Sequence, residues 1–395
     1  MLFKPSFQIG SSSRGQGSSP DLSEGKERDR QLPSGVAIFI PGGIENGGGI
    51  GRQMGYFLKE QERSGLGAMY TVIDTRGPRF IDGSVLYTFL AIFYLAVSLL
   101  RLLHGRLFGG SVLAHINITG RGSTIRKIIV AIVARSVKMP YILHVHEPDY
   151  AQEYSRRGAL TRFLIHQTFR RAAKILVLGS RDQLALSALL GLPPNEIAVL
   201  HNAVPDPLPA KLAQRDDECK ILFLGNLSER KGVPELIRAL ASPTLRARRW
   251  RATLAGDGRV EEFRRLASEL GIAERVVFPG WVDQAGVRAA CQTAEVLVLA
   301  SYAEGLAMSV LEGLSYGLAV ITTPVGAHTE VVEPEVSGLF VPPGDVEALS
   351  ATLARVIDDS ALRERLGAGA RRRFLEKFHV CGYAEQLGSL HAALM

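Results

Sequence analysis

Residues 294–324 read AEVLVLASYAEGLAMSVLEGLSYGLAVITTP. The run AEVLVLA is short, apolar and rich in Val and Leu, which suits a strand buried on both faces of a parallel sheet. LAVITTP has the same character, and between the two lie a small-residue loop and an apolar helical run. The stretch therefore reads as one strand–loop–helix–strand unit. Glu304 falls in the loop where the first strand's carboxyl end opens, and Glu312 falls one to two turns into the helix. In open α/β sheets, ligands sit at that edge.

The same alternation extends in both directions. Upstream come VAIFI (36–40), MYTVID, VLAHI, YILHV, KILVL and IAVL, separated by helix-like stretches. After residue 218 come CKILFLG, RATLAG, RVVFPG, AEVLVLA, LAVITT and GLFV. This pattern predicts an α/β protein made of two Rossmann-like, doubly wound parallel-sheet domains facing across a cleft. HNAVPDPLPAKLAQRDDE (201–218) breaks the pattern with three prolines and a charge cluster, and reads as a linker. The expected division is a disordered tail over 1–34, a first domain over 35–200, the linker 201–218 and a second domain over 219–378. A C-terminal helix over 379–395 is expected to pack back towards the first domain. Asp345 is placed to cap a helix near the start of that almost wholly helical last stretch.

Composition narrows the class. The chain has 395 residues, 46% of them hydrophobic, and a net charge of +7, so it buries a large core and favours acidic partners. Three distant cysteines, Cys219, Cys291 and Cys381, show no metal-ligand or disulfide-framework spacing, which fits a reducing compartment. The Ser- and Gly-rich amino terminus has no secretory h-region. Residues 83–100, GSVLYTFLAIFYLAVSLL, carry no charge and reach the length of a membrane span. Strands of one sheet lie on both sides of the segment, so the expectation is a buried or membrane-apposed helix and not a span.

Five motifs of the second half occur together: LFLGNLSERKGVPELIRAL (222–240), LAGDG (254–258), FPGWV (278–282), EGLAMSVLE (304–312) and HTEVVEPEVSGLFVPPGDVEAL (328–349). In kind and order they resemble the donor domain of the GT-B glycosyltransferases of the large retaining family 4. The resemblance implies that Glu312 holds a nucleotide ribose and Glu304 the transferred sugar, with backbone N–H groups of Gly305, Leu306 and Ala307 between them. The residues carry their own physics as well. A carboxylate accepts two hydrogen bonds from a vicinal diol. Arg230 and Lys231 precede a helix, where cations and backbone N–H groups together favour a diphosphate. Where the family usually has an arginine after the strand's glycine, this chain has Asn226.

The first half adds weaker signals. PGGIENGGGIGRQMGYFLKE (41–60) sets a Gly-rich loop between a strand and a helix, and Gly48 and Gly49 are the candidates for close approach to a diphosphate. Neither a nicotinamide fingerprint nor a Walker A motif is present. The segment 114–150 resembles that of exopolysaccharide and cell-wall glycosyltransferases, in which a histidine-bearing strand end lines the cleft. His146 is the candidate nearest the sugar, and Glu147 and Arg126 are candidates for the acceptor side. Lys127 is grouped with Arg126 there. The Arg-rich apolar helix over 156–174 suits an anionic membrane surface or an ordinary packed surface.

The expected activity is retaining, hexosyltransferase-type transfer from a nucleotide diphosphate sugar to a glycan or lipid-linked glycan. No DxD pair occurs, so neither a metal nor another cofactor is expected, and nucleic acid is not an expected partner. A cytoplasmic protein, peripheral at the inner face of the membrane, fits these features. Two alternatives stand beside this reading: a nucleotide-sugar epimerase of the same fold, and a non-catalytic GT-B binding subunit.

Overall fold

The computed structural model describes residues 35–45, 47–77, 85–120, 122–207 and 218–395, with side chains for all of these but 85–88. The tail expected over 1–34 and most of the expected linker, 208–217, lie outside them.

The first sheet comprises β1 (Gly35–Ile40), β2 (Tyr70–Asp74), β3 (Ser111–Ile118), β4 (Tyr141–Val145), β5 (Lys174–Val177) and β6 (Ile197–Val199). Its helices are α1 (Gly48–Arg63), α2 (Val85–Leu107), α3 (Gly122–Ser136), α4 (Tyr150–Ser155), α5 (Ala159–Arg170) and α6 (Ser180–Leu190). The second sheet comprises β7 (Cys219–Leu224), β8 (Trp250–Ala255), β9 (Val276–Gly280), β10 (Val296–Leu299), β11 (Ala319–Thr322) and β12 (Gly338–Phe340). It carries α7 (Val233–Leu240), α8 (Pro243–Arg246), α9 (Val260–Glu269), α10 (Gln284–Thr293), α11 (Met308–Ser315) and α12 (His328–Val331), and the chain closes with α13 (Val346–Asp358), α14 (Ser360–Lys377) and α15 (Val380–Leu394).

Every ladder is parallel. The spatial orders are β2-β1-β3-β4-β5-β6 and β12-β11-β10-β7-β8-β9. The inner strands β1, β4, β10 and β11 are buried at every position because helices cover both faces, whereas β2 and β9 at the sheet edges keep exposed positions. Strand order reverses between β1 and β3 in the first sheet and between β7 and β10 in the second. Those reversals set the crevices in which α/β sheets bind ligands.

Three cores hold the layers. One face of the first sheet packs through Phe39, Ile116 and Leu143 against α2, α3 and α5. Its other face packs through Ile38, Leu113 and Leu176 against α1 and α15. The second lobe closes around Trp250, Phe223, Leu297 and Phe374. Each such side chain contributes about 1.5–3 kcal/mol by leaving water. The chain crosses between lobes twice: Val204 N donates to Phe378 O (3.1 Å) and Val380 N to Val204 O (3.0 Å), laying the crossings side by side. Asp345 caps α13 by accepting from Ala348 N at 2.8 Å.

Residues 85–100 of the apolar segment form part of α2, and its position corrects the buried alternative of the expectation of a buried or membrane-apposed helix. Leu102 and Ser98 are buried, but Phe89, Ile92, Phe93, Leu100 and Leu107 remain between 59% and 66% exposed. Sequence hydropathy sums both faces of a helix, whereas the sheet covers only one.

Candidate functional site

The site assembles from loops that leave strand ends at the two order reversals. In the second lobe, β7 runs into Gly225 and a 3-10 turn over Glu229–Lys231, and α7 starts only at Val233. Arg230 and Lys231 therefore precede the helix, as expected from sequence, and lie on a tight turn of their own. Gly232 causes the break. Its φ is 69°, and a Cβ there would lie 2.0 Å from Ala300 O, so the turn rests directly on the end of β10. Tyr302 N donates to Arg230 O at 2.9 Å, joining the two loops.

That contact delivers Lys231 to Glu304. Lys231 Nζ lies 2.6 Å from Glu304 Oε1, with Arg230 Nη1 at 3.6 Å. Ser301 Oγ donates to the same oxygen at 2.9 Å, and Arg230 also donates to Ala303 O at 2.6 Å. Burial works to raise the Glu304 pKa, but the charges of Lys231 and Arg230 outweigh it and leave the carboxyl below its ordinary value. Glu304 is thus an anion held by cations. Gly326, in left-handed conformation, braces the loop: a Cβ there would meet Glu304 O at 2.0 Å.

Glu312 sits just past the first turn of α11, buried, with Arg52 of α1 reaching across from the first lobe at 2.8 Å. Burial raises the Glu312 pKa, and Arg52 offsets only part of that rise. Its Oε2 is buried with no hydrogen-bond partner. An orphaned carboxylate oxygen costs free energy until a donor reaches it. A cavity of about 260 Å³ opens beside Glu312 between the lobes, lined in part by Tyr56, Lys59, Gln284, Arg288 and Tyr316.

Between the two glutamates, Leu306 O accepts from Asn202 Nδ2 (3.0 Å) and Ala307 N donates to His328 Nε2 (3.4 Å). Of the three amides expected to line the ligand, Ala307's is engaged by this long bond. Burial lowers His328 to about 4, so it is neutral and can accept, while Nδ1 faces Thr322 Oγ1 and Thr323 O. Gly305 lies against the first lobe, where a Cβ would meet His146 O at 3.3 Å. Gly48 and Gly49 open α1, and a Cβ on Gly49 would be 3.8 Å from Met308, the first residue of α11. Two helix amino termini therefore approach each other across the cleft, each with the partial positive charge that draws anions.

His146 follows β4, and its Nε2 lies 2.8 Å from Asn117 Oδ1. Asn117 Nδ2 donates to Phe39 O, so Oδ1 is the atom presented and Nε2 of His146 carries the proton. Desolvation lowers His146 to about 3, leaving a neutral ring whose Nδ1 is an acceptor. Behind it run His144, its ring tilted by 37° with centroids 4.1 Å apart, then His115 and His391 in hydrogen-bond contact. Glu147 accepts from Gly120 N at 2.7 Å, and Arg126 lies over Gly122 at the start of α3. These two face the loop after β3. Lys127, grouped with Arg126 from sequence, is fully buried and donates to Thr75 Oγ1 at 2.5 Å. Asn226 is exposed and donates to Asp257 Oδ1 at 3.0 Å.

Sequence reasoning missed Arg52, Asn117, His328 and Glu330. Glu330 fastens the lobes, accepting from Ser180 N (2.7 Å) and Ser180 Oγ (2.9 Å) and pairing with His201 (3.0 Å). For Arg52 a signal existed, a cation one turn into the helix that follows the Gly-rich loop.

Comparisons with known proteins agree with this architecture. Residues 206–373 match the family model described as glycosyl transferases group 1. The chain is 23% identical over 278 residues to alpha-D-kanosaminyltransferase of Streptomyces kanamyceticus, covering 66% of this chain and 72% of that protein. It is 29% identical over 282 residues to 2-deoxystreptamine glucosyltransferase of the same organism, covering 66% and 70%. Among solved structures, sucrose-phosphate synthase from Thermosynechococcus elongatus superposes with a TM-score of 0.71 at 20% identity, over 91% of this chain and 99% of that one. Anabaena HepE in complex with UDP-glucose superposes with a TM-score of 0.70 at 18% identity, over 91% and 99%.

Proposed function

From the premise that residues 206–373 are a glycosyl transferases group 1 domain on a chain of GT-B fold, we propose that this protein transfers a hexose-type sugar from a nucleotide diphosphate sugar to a glycan or lipid-linked glycan, with retention at the anomeric carbon. The observations that carry the reading are the Lys231–Glu304 pair at the loop that leads into Gly305–Ala307 and the approach of Gly49 to Met308, where the helix bearing Glu312 begins.

In this reading the orphaned Glu312 Oε2 takes a ribose hydroxyl. Lys231 has three N–H donors, so it holds Glu304 and still reaches a phosphate oxygen. Glu304 accepts from hydroxyls of the sugar. The bond between the anomeric carbon and the diphosphate breaks, an acceptor oxygen bonds to that carbon on the same face, and its proton passes to the departing diphosphate. Lys231, Arg230 and the amino termini of α1 and α11 stabilise the charge that develops there. These cations supply the countercharge in place of a metal. His146, neutral and fixed by Asn117, accepts from a sugar hydroxyl, and Glu147 and Arg126 face the acceptor.

HepE has been captured with UDP and UDP-glucose, which makes UDP-sugars the first donors to try. The test is a thermal-shift screen of UDP-, GDP- and ADP-sugars, followed by acceptor-dependent nucleotide release with and without EDTA, and NMR of the product's anomeric proton. A ligand bound only by the folded chain raises its melting temperature. No shift with any of these donors overturns the reading. Donor binding without acceptor-dependent release favours a non-catalytic subunit, and isomerisation of the free nucleotide sugar favours an epimerase.

A further inference from the structure

Helices α2, α3 and α5 lie side by side over one face of the first sheet, and all three bury residues in the same core: Leu102, Ile128, Ala131, Ile165 and Phe169. Their outer faces are unusual in two ways. The first is apolar exposure. Phe89, Ile92, Phe93, Leu100 and Leu107 are exposed along α2, and Ile132 of α3 and Leu160 and Phe163 of α5 are exposed beyond them. Soluble monomers rarely expose contiguous apolar patches larger than a few hundred Å². The second is charge. None of the three helices contains Asp or Glu, while Arg101, Arg135, Arg162 and Arg170 are all exposed on them.

We propose that the outer face of α2, α3 and α5 is a membrane-docking surface that seats α2 in the plane of an anionic phospholipid bilayer. Exposed Phe and Leu beside Arg, with no acid among them, match what an interfacial helix presents to acyl chains and anionic headgroups. The stretch Phe89–Leu107 is long and apolar enough to cross a membrane, but the fold opposes it. Ser98 and Leu102 are fully buried, and α2 connects β2 and β3, both of which pair with β1. Crossing would tear that face from the sheet. A second copy is disfavoured as the occupant because two all-cationic faces would repel. The docking stands independently of sugar transfer. What rests on that reading is its consequence: with α3 both at the bilayer and at the acceptor side of the cleft, the acceptor is a lipid-linked glycan.

The test is flotation of the full chain with vesicles of phosphatidylcholine alone or mixed with phosphatidylglycerol. The chain should float with the mixed vesicles and largely lose them in high salt. The double variant F89S/F93S should lower the bound fraction at least about tenfold, and Arg162→Gln and Arg170→Gln about fivefold each. The nucleotide-induced thermal shift should be unchanged in all three, which shows that they fold and separates docking from donor binding. Failure of the wild type to float, or flotation indifferent to F89S/F93S, overturns the proposal. So does a dimer in light scattering that F89S/F93S dissolves.

Discussion

Arg52 of α1 and Glu312 of α11 meet at 2.8 Å, one from each lobe, with Glu312 the more deeply buried partner. The pair is asymmetric. Removing Arg52 strands a buried carboxylate, whereas removing the charge of Glu312 leaves a guanidinium that turns to water. Arg52→Ala should therefore lower unfolding free energy by about 1–3 kcal/mol, and Glu312→Gln by less. Denaturant titration of both variants checks this, and equal or reversed costs would show that the contact is not what holds Glu312.

Lys231 is assigned to the diphosphate, so its loss should be felt by nucleotides that carry one. Lys231→Ala should weaken UDP binding by roughly 10- to 100-fold, the worth of a charge-assisted hydrogen bond. UMP binding should change much less. Calorimetric titration of both nucleotides reads the difference, and parallel losses would remove Lys231 from the phosphate site.

Acid should destabilise the protein through its buried histidines. Burial lowers His146 to about 3 and His328 and His391 to about 4, and it holds His115 and His144 well below 6.5. In each case the unfolded chain binds the proton more readily. The stability they contribute is complete above pH 6.5 and is lost as pH falls from there towards 4 and below. Each ring adds a slope of up to about 1.4 kcal/mol per pH unit in that window. His391→Gln should remove one such increment between pH 6.5 and 5. An unaltered slope in denaturant titrations across that range would contradict the assignment.

Gly232 and Gly326 make the steric prediction. Each has a positive φ and would place a Cβ 2.0 Å from a backbone oxygen. Alanine at either position should cost about 3 kcal/mol or more, through strain and displaced backbone. Gly191→Ala is the control: it shares a positive φ but has open space around it, so it should cost only about 1 kcal/mol. Comparable costs for all three would mean that close approach plays no part.

The strands were legible in the sequence because a parallel strand covered on both faces is a continuous apolar run, as in VLVL (296–299), with little else to mistake it for. Glu304 and Glu312 were legible because strand, loop and helix fix their places locally. The seating of the Arg230–Lys231 turn on Ala300 was not, because Ala300 is distant in sequence. Arg52, Asn117 and Glu330 escaped for the same reason. Their partners, Glu312, His146 and Ser180, lie 260, 29 and 150 residues away. Hydropathy found α2 but carried no information about which of its sides the sheet would cover.

Val204 pairs with Phe378 and Val380, so the two lobes are joined by a double strap. A single tether would let one lobe swivel freely on the other. Two tethers laid flat together resist torsion and leave one easy bending axis, so any opening that admits a donor should be a jaw-like swing, with Glu330 and Arg52 acting as the clasps that release it.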